Sequence, residues 1–326
     1  MSVNITTAFV KQFSANVQIL VQQMGSRLRN TVTLETGKIG EEVFMDRIES
    51  VAAQRVTSRH ADSPLISTPH DRRKVTPSDF DWGDMIDNPD KLRLLIDPAS
   101  AYSANAAMAM GRAMDETIIS ALIGNAKGDA SDGTSSADTN VALPAGQKVA
   151  IQDVSYEVDG GSGNQGLTVG KLINARKILG ANEADDYDVN GQSNLFLIVD
   201  AAQLANLLTS TKVNSADHNQ IRALVAGDLN QYMGFNIIRT ELIPKLNGDH
   251  SAGSFTYDPT AQENSGDPDH CVAFHRRGLG LCIWEDIVAR ISERPDKRFS
   301  QYIYYRMTIG ATRLEEKRVV QISCLQ

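Results

Sequence analysis

The segment LTVGKLINARKILG (residues 167–180), followed by NLFLIVDAAQLANLL (residues 194–208), decides the fold of this chain. Apolar residues recur at helical spacing from Leu167 to Leu179, and Thr168 is well placed to cap that helix. Leu195–Val199 is a short, continuous apolar run, which is typical of a strand buried on both faces. Asp200 then begins a second helix, which runs through Leu208. The segment therefore predicts a helix–strand–helix unit.

Strand patterns dominate the chain on the C-terminal side of this unit. Ile221–Leu229 favours a helix, and Asn247–Asp269 has the composition of a long polar loop. On the N-terminal side, Val149–Val158 alternates like a strand, and Lys127–Ala145 is a polar loop rich in Gly, Asp, Ser and Thr. Further strands are predicted at Phe235–Thr240, Val272–His275, Gly280–Trp284, Ile287–Ile291, Tyr302–Ile309 and Val319–Cys324.

A long helix is predicted after Asp97-Pro98, because Asp is a good N-cap and Pro is a good first helical residue. Gly124 is a suitable stop. The helix would be about 39 Å long at the standard rise per residue. Its apolar stripe is made of small and flexible side chains, namely Tyr102, Ala106, Ala109, Met110, Ala113 and Thr117.

The first quarter of the chain looks extended rather than compact. Ser14–Arg29 has the period of an amphipathic helix. Thr31–Glu49 and Arg72–Ile86 are rich in Val, Thr, Ile and Phe, and His60–His70 between them has loop composition. Together they predict a long, polar, two-stranded excursion. Because a lone two-stranded ribbon is marginal in water, we expect it to lie on another surface.

Composition excludes several classes of protein. No apolar run approaches the ~18 residues that cross a bilayer, and the N-terminus lacks the pattern of a signal peptide. The net charge of −8 argues against a dedicated nucleic-acid binder, although residues 1–75 carry ten Lys/Arg against seven Asp/Glu. The three cysteines, Cys271, Cys282 and Cys324, form no CxxC pair, so reduced thiols in a cytoplasmic compartment are expected.

Two glycine-rich patterns invite a nucleotide-binding interpretation. Gly161–Gly166 matches GxGxxG, with Asp185 and Asp186 about 20 residues further on. The preceding segment is polar and alternating, however, and no further βαβ units follow, so a flexible turn is the better interpretation. Gly166–Lys171 resembles a phosphate loop but is one residue short, and Leu172 replaces the Ser/Thr that would hold magnesium.

Two other groups of residues invite a metal-site interpretation. An acidic run surrounds Trp82 but lacks the Gly and Glu that an EF-hand loop needs at positions six and twelve, so we interpret it as a polar strand end. The set His270, Cys271, His275 and Cys282 fits no common zinc-finger spacing. No GxSxG or HExxH motif is present, and we predict no catalytic, cofactor-binding or metal-binding residue. The acidic run consists of Asp79, Asp81, Asp84, Asp87 and Asp90.

Three stretches carry a resemblance to a known family. They are the helix–strand–helix unit at 167–208, GDLNQYMGFNIIRTELIP at 227–244 and CVAFHRRGLGLCIWEDI at 271–287. In their order and spacing they resemble the major capsid proteins of tailed double-stranded DNA bacteriophages, which share the Hong Kong ninety-seven type fold. With the arm and the Asp-Pro helix, the resemblance covers nearly the whole chain.

The resemblance implies an α+β fold and a domain map. Residues 1–30 would be an N-terminal arm, and residues 31–86 an extended β-hairpin loop that reaches over a neighbouring subunit. Residues 87–164 and 291–326 would form a peripheral domain with a long spine helix, and residues 165–290 an axial domain around the fivefold and sixfold axes.

The resemblance also implies a function. The chain would assemble with itself into pentamers and hexamers that form an icosahedral phage head around double-stranded DNA. Further expected partners are a separate scaffolding protein, a portal, a cement protein and, non-specifically, the packaged DNA, with no membrane involved. The location would be the virion, with assembly in the host bacterial cytoplasm. Some relatives cross-link subunits through a Lys–Asn isopeptide, and Lys38 is the one candidate lysine here.

Two alternatives remain open at this point. An encapsulin-like bacterial compartment has the same fold and differs in its cargo, so DNA or protein inside the shell would distinguish the two. A nucleotide-dependent enzyme built on Gly161–Gly166 belongs to another class, and dinucleotide binding that is lost in Gly163→Val would identify it.

Overall fold

We describe a computed structural model of the chain. The described residues are 23–59, 63, 65–86, 98–128, 139–156, 163, 165–186, 193–209, 231–243, 246–247, 256–257 and 268–325. The chain divides into two compact units. One contains Met1–Ser26, Asp79–Ala113 and Glu285–Thr308, and the other contains Arg27–Ser78, Met114–Trp284 and Ile309–Gln326. Each unit is described by itself.

The described helices are α1 (Pro98–Ile123), α2 (Val169–Ala181) and α3 (Ala201–Thr209). The shorter strands are β1 (Thr33–Thr36), β2 (Val43–Ile48), β3 (His70–Val75), β4 (Ser78–Ile86), β5 (Ala126–Gly128), β6 (Thr139–Val141), β7 (Lys148–Val149), β8 (Leu195–Val199), β9 (Gln231–Tyr232), β10 (Phe235–Arg239), β11 (Leu246–Asn247) and β12 (Thr256–Tyr257). The C-terminal strands are longer, and they are β13 (Pro268–His275), β14 (Leu279–Arg294), β15 (Ser300–Arg313) and β16 (Val319–Leu325).

The predicted helix–strand–helix unit is confirmed as α2, β8 and α3. The Thr168 hydroxyl accepts a hydrogen bond from the Lys171 backbone N–H at 3.3 Å, which caps α2 as expected. Strand β8 lies inside a six-stranded sheet of order β7-β16-β13-β8-β10-β9, so its apolar run is covered on both edges and faces. Apolar residues of α2, α3 and this sheet form one hydrophobic core, which includes Leu172, Leu197 and Phe235.

A second sheet has the order β1-β14-β15-β4. Two predicted strands, Gly280–Trp284 and Ile287–Ile291, are one continuous strand, β14. Strand β1 pairs with it in parallel, with Thr33 opposite Gly280. The distal part of β14, residues 289–294, is exposed.

A third sheet has the order β2-β3-β5-β6, so the ribbon that was predicted to be two-stranded is part of a four-stranded sheet. Strands β2 and β3 do pair antiparallel, with Val43 opposite Val75 and Ile48 opposite His70. The flanking strands β1 and β4 belong to the second sheet, however, and β3 also pairs with β5. Extended composition indicated strands correctly but carried no information on which edges would meet.

The predicted helix Ser14–Arg29 is wrong over its described part. Residues 23–28 are not helical, and a 3-10 turn occupies Arg29–Thr31. Gly25 has φ +74°, a left-handed conformation that interrupts a helix. The backbone N–H groups of Arg27 and Leu28 donate to the carboxylate of Asp115 at 2.9 and 3.1 Å instead of to a preceding helical turn. Residues 14–22 lie outside the described residues.

The predicted strand Val149–Val158 is also wrong over residues 150–156, and residues 157–158 lie outside the described residues. Strand β7 ends at Val149, and the chain then turns. The Asp153 side chain accepts hydrogen bonds from the backbone N–H and the hydroxyl of Ser155, at 2.9 and 2.5 Å. Such a local side-chain turn competes with strand pairing.

Other predictions need only new bounds or lie outside the described residues. The ends of the predicted loop Lys127–Ala145 pair as β5 and β6, and short strands β11 and β12 pair within Asn247–Asp269. The helix after Pro98 is confirmed, while Asp97 and Ile221–Leu229 are not described. None of the described helices is long and apolar enough to cross a membrane.

Candidate assembly interface

The β2–β3 hairpin has one buried face and one open face. On the buried face, Val43, Met45 and Val75 pack with Cys282, against Trp284 and Leu314. On the open face, Phe44 and Ile48 are exposed, and the guanidinium of Arg72 lies over the Phe44 ring at 5.5 Å. Exposed aromatic and aliphatic side chains beside arginine are the composition of an interaction surface.

The segment Ser50–Arg59, which we call the hairpin tip, continues from β2 without helix or strand. All ten of its residues are exposed, and Val56 retains 81% of its accessible surface. The hairpin closes behind it through a backbone hydrogen bond from Glu49 N to Pro69 O at 3.2 Å. An exposed segment that belongs to no helix or strand is suited to pairing with another chain.

An ion network anchors the base of the hairpin. Arg47 on β2 donates to Asp71 on β3 through Nε at 2.8 Å and to Glu316 through Nη1 at 3.3 Å. Arg73 on β3 donates to the other oxygen of Glu316 at 2.7 Å. Burial acts to raise the pKa of the Asp71 carboxyl. The hydrogen bonds from the Arg47 side chain and the Arg72 backbone N–H, together with the positive charges of Arg47 and Arg73, outweigh burial and lower that pKa. The hairpin base is therefore held by charge-assisted hydrogen bonds.

Arg313 connects the same network to the end of α1. Its side chain is fully buried, and its Nη atoms donate to the carbonyls of Leu122, Gly124 and Val141 at 3.0, 2.6 and 2.8 Å. Burial lowers the pKa of this guanidinium to about 10, against the opposing attraction of Glu316. A cation at the C-terminal carbonyls of a helix satisfies groups that the helix itself cannot.

Within the unit that contains Glu285–Thr308, strand β15 presents a row of half-exposed side chains. The rings of Tyr302 and Tyr304 stack with centroids 6.0 Å apart, and Arg306 donates to Glu285 at 2.7 Å. Thr308 donates to Asp79 on β4 at 2.7 Å. Tyrosine and arginine held in fixed positions are typical of residues that dominate the energy of protein interfaces.

The described residues of the glycine-rich patterns contact other parts of the protein. A Cβ on Gly166 would overlap the side chain of Asn206, so that space is already filled. Lys171 is fully buried, and its Nζ donates to the carbonyls of Gln165 and Ser323 at 2.7 and 2.9 Å. Asp185 is 3.6 Å from Arg176. Gly163 is described, with φ +102°, whereas Gly161 is not.

The candidate metal residues are dispersed. Asp79, Asp81 and Asp84 lie along β4, and Asp87 and Asp90 fall outside the described residues. Cys271 belongs to the core of the six-stranded sheet, whereas Cys282 lies under the hairpin. No group of three or more potential metal ligands occurs in the described part of the chain.

His270, His275 and Lys38 have other partners. Nδ1 of His270 is 3.3 Å from the Ser323 hydroxyl, and Nδ1 of His275 accepts from the Arg277 backbone N–H at 3.2 Å. The ammonium of Lys38 is 2.5 Å from Glu35, and this hydrogen bond raises the pKa of Lys38. A protonated amine is not a nucleophile, so this pairing opposes isopeptide formation in the described conformation.

Sequence reasoning missed the network around Glu316. One signal was available, because Arg72-Arg73-Lys74 places three cations in a strand and alternation must turn one of them inward. The position of its partner 243 residues away could not be read from that pattern.

Known proteins share the sequence pattern and the fold of this chain. The family model described as phage capsid protein matches residues 5–326. The chain belongs to the phage capsid protein family. It is therefore a structural protein of the phage capsid shell. No curated protein matches the chain at a significant level.

Solved structures show the same fold for this capsid protein at low sequence identity. The capsid of cyanophage P-SCSP1u has a TM-score of 0.68 at 15% identity and covers 100% of this chain and 96% of that one. The capsid of Ralstonia phage GP4 has a TM-score of 0.68 at 11% identity, with 97% and 95% covered. The capsid of Helicobacter pylori bacteriophage KHP30 has a TM-score of 0.68 at 10% identity, with 99% and 97% covered. These matches confirm the predicted fold and give no support to the encapsulin-like alternative.

Proposed function

We propose that this capsid protein assembles into pentamers and hexamers, which close into an icosahedral head around double-stranded DNA. The observation that carries the proposal is the β2–β3 hairpin. Ion pairs between side chains hold its base, whereas its outer face and its tip are exposed to solvent. A hairpin of this kind gains its missing contacts from a neighbouring copy. Head-to-tail contacts between identical subunits form closed rings when the rotation between them closes.

The domain map remains part of this proposal. Residues 1–30 act as an arm, residues 31–86 as the extended loop over a neighbour, residues 87–164 and 291–326 as the peripheral domain, and residues 165–290 as the axial domain. The fully buried Arg313, which joins β15 to the end of α1, supports a spine that is built into its domain.

The proposal includes partners besides the protein itself. A separate scaffolding protein guides assembly in the host cytoplasm, a portal occupies one vertex, and a cement protein reinforces the finished head. The net charge of −8 supports only non-specific contact with packaged DNA, because tight phosphate binding needs clustered cations. The protein has no catalytic role in this proposal.

Electron microscopy of the purified protein tests the proposal, with and without co-expressed scaffolding protein. We expect closed icosahedral particles, or rings of five and six. Monodisperse monomers in both samples would overturn it. The contents of particles made in infected cells provide a second readout, since nuclease-protected DNA is expected and an enclosed protein cargo would instead indicate a compartment.

A deletion tests the role of the hairpin directly. Replacing Ser50–Thr68 by a short Gly-Ser turn leaves β2, β3 and the ion network at their base in place. We expect a folded protein that no longer forms closed shells. A matched control replaces only residues 63–68 on the other side of the tip. Normal shells from the larger deletion would contradict the proposed role.

A further inference from the structure

The strand β4 ends the second sheet, and its outer edge has no strand partner in the described part of the chain. Ser78–Ile86 contains three aspartates and no lysine or arginine. Asp81 and Asp84 are exposed, and neither has an ion pair among the described residues. An open edge with one sign of charge is a template for a strand of the opposite charge.

The hairpin tip has the complementary properties. Ser50–Arg59 contains Arg55 and Arg59 and no acidic residue. Neither arginine has an ion pair among the described residues, and the whole tip is exposed. As a strand, the ten residues of the tip would span about 33 Å and the nine residues of β4 span about 30 Å, so the two lengths would agree.

The geometry points to one docking arrangement: the hairpin tip of one copy lies antiparallel along β4 of a neighbouring copy as an added strand, with Arg55 opposite Asp81. This inference rests on the proposed self-assembly and names the surface that receives the loop.

The same register also places chemically compatible side chains opposite each other at two further positions. With Arg55 opposite Asp81, antiparallel pairing sets Thr57 opposite Asp79 and Val51 opposite Met85. Asp79 shares its face of the sheet with Thr308, to which it is hydrogen bonded, and Asp81 and Met85 follow on that face at two-residue spacing. The register therefore pairs a cation with an anion, a hydroxyl with a carboxylate, and an aliphatic side chain with the exposed Met85.

Charge reversal and its rescue test the arrangement. Arg55→Asp and Asp81→Arg, each alone, are expected to reduce the yield of closed particles about tenfold or more, because like charges then face each other. The two changes together are expected to restore assembly. The matched control combines Arg55→Asp with Glu41→Arg, an exposed acid on the β1–β2 connection, and is expected to stay defective.

A cross-link supplies a second, independent readout. Arg55→Cys and Asp81→Cys proteins are co-assembled and treated with diamide, which takes up the two electrons and two protons released by disulfide formation. A disulfide-linked dimer is expected from this mixture, and not from Arg55→Cys mixed with Glu41→Cys. The natural cysteines are all buried.

The outcomes separate this inference from the proposed function. If the unaltered protein forms no particles, self-assembly itself fails. If it does form particles, while Arg55→Asp and Asp81→Arg assemble normally and no cross-link forms, the docking arrangement is overturned and self-assembly stands.

Discussion

Glu316 Oε1 lies 2.7 Å from Arg73 Nη2, and this pair joins strand β3 to the 3-10 turn that follows β15. The side chains retain only 14% and 3% of their accessible surface. Glu316 also accepts from Arg47 at 3.3 Å and lies 3.8 Å from Arg313 Nε. Glu316 therefore lies within 4 Å of three guanidinium groups, of which Arg47 also pairs with Asp71.

Glu316→Gln is expected to destabilise the unassembled protein by about 3 kcal/mol, since it leaves buried arginine charges without compensation. Urea unfolding of the dissociated subunit measures the effect. Glu315→Gln is the matched control, because Glu315 is 42% exposed and its pair with Arg318 contributes at most about 1 kcal/mol. Equal effects at the two positions would show that the network does not hold the hairpin.

Arg313→Met is expected to destabilise the protein by about 3 kcal/mol, because three carbonyls lose their donor in a buried place. Arg313→Lys should cost less, since an ammonium can still reach part of the set. Thermal unfolding followed by circular dichroism provides the measurement. Arg290→Met on the exposed part of β14 is the control and should change stability by less than about 0.5 kcal/mol.

His275 is expected to make stability depend on pH. Burial lowers the pKa of His275 below its ordinary value of 6.5, and the adjacent Arg318 and Arg277 lower it further, against the opposing carboxylates of Asp186 and Glu315. The unfolded state therefore binds the proton more readily than the folded state does. Stability is greatest above pH 6.5 and falls as the pH drops from there towards the lowered pKa.

His275→Gln tests this dependence, because the amide oxygen can still accept from the Arg277 backbone N–H but does not titrate in this range. The loss of stability between pH 7.5 and 5.5, measured by urea unfolding, should be smaller in the variant. An unchanged profile in His275→Gln would refute the assignment.

The natural thiols are expected to be unreactive in the folded protein. Cys271, Cys282 and Cys324 are buried, and burial raises the pKa of Cys282 to about 11. Ellman's reagent at pH 8 should therefore titrate almost no thiol in the native subunit and all three after unfolding. Arg290→Cys supplies an exposed thiol as a positive control. Rapid reaction of a natural cysteine in the native protein would contradict the packing described here.

Gly111→Ala and Gly180→Ala form a matched pair of helix substitutions. An added Cβ at Gly111 on α1 would lie 2.5 Å from the carbonyl carbon of Gly25, so backbone must move. We expect a loss of about 1–3 kcal/mol, the usual cost of overpacking. An added Cβ at Gly180 on α2 meets nothing within 4 Å, and there the change should stabilise by up to about 1 kcal/mol. The same unfolding assay compares both variants.

Much of the fold could be predicted from sequence because its signals are local. Thr168 caps α2, Pro98 begins α1 and the continuous apolar run at Leu195–Val199 is a buried strand, as each residue type suggested. The local signals failed where a short-range contact competed with the pattern. Gly25 and Asp153 interrupt a predicted helix and a predicted strand through their own backbone geometry or side-chain hydrogen bonds.

The sequence by itself determined most of the helices and strands, since hydrophobic period and capping act within a few residues and do not depend on tertiary contacts. The order and spacing of three stretches carried the resemblance to the family. Only the tertiary structure decided which strands share an edge and which charges meet. Thr33 pairs with Gly280, and Arg73 meets Glu316, across more than 240 residues of sequence. An extended segment presents the same backbone donors and acceptors to every other strand. Which strand it pairs with therefore depends on the packing of the whole chain.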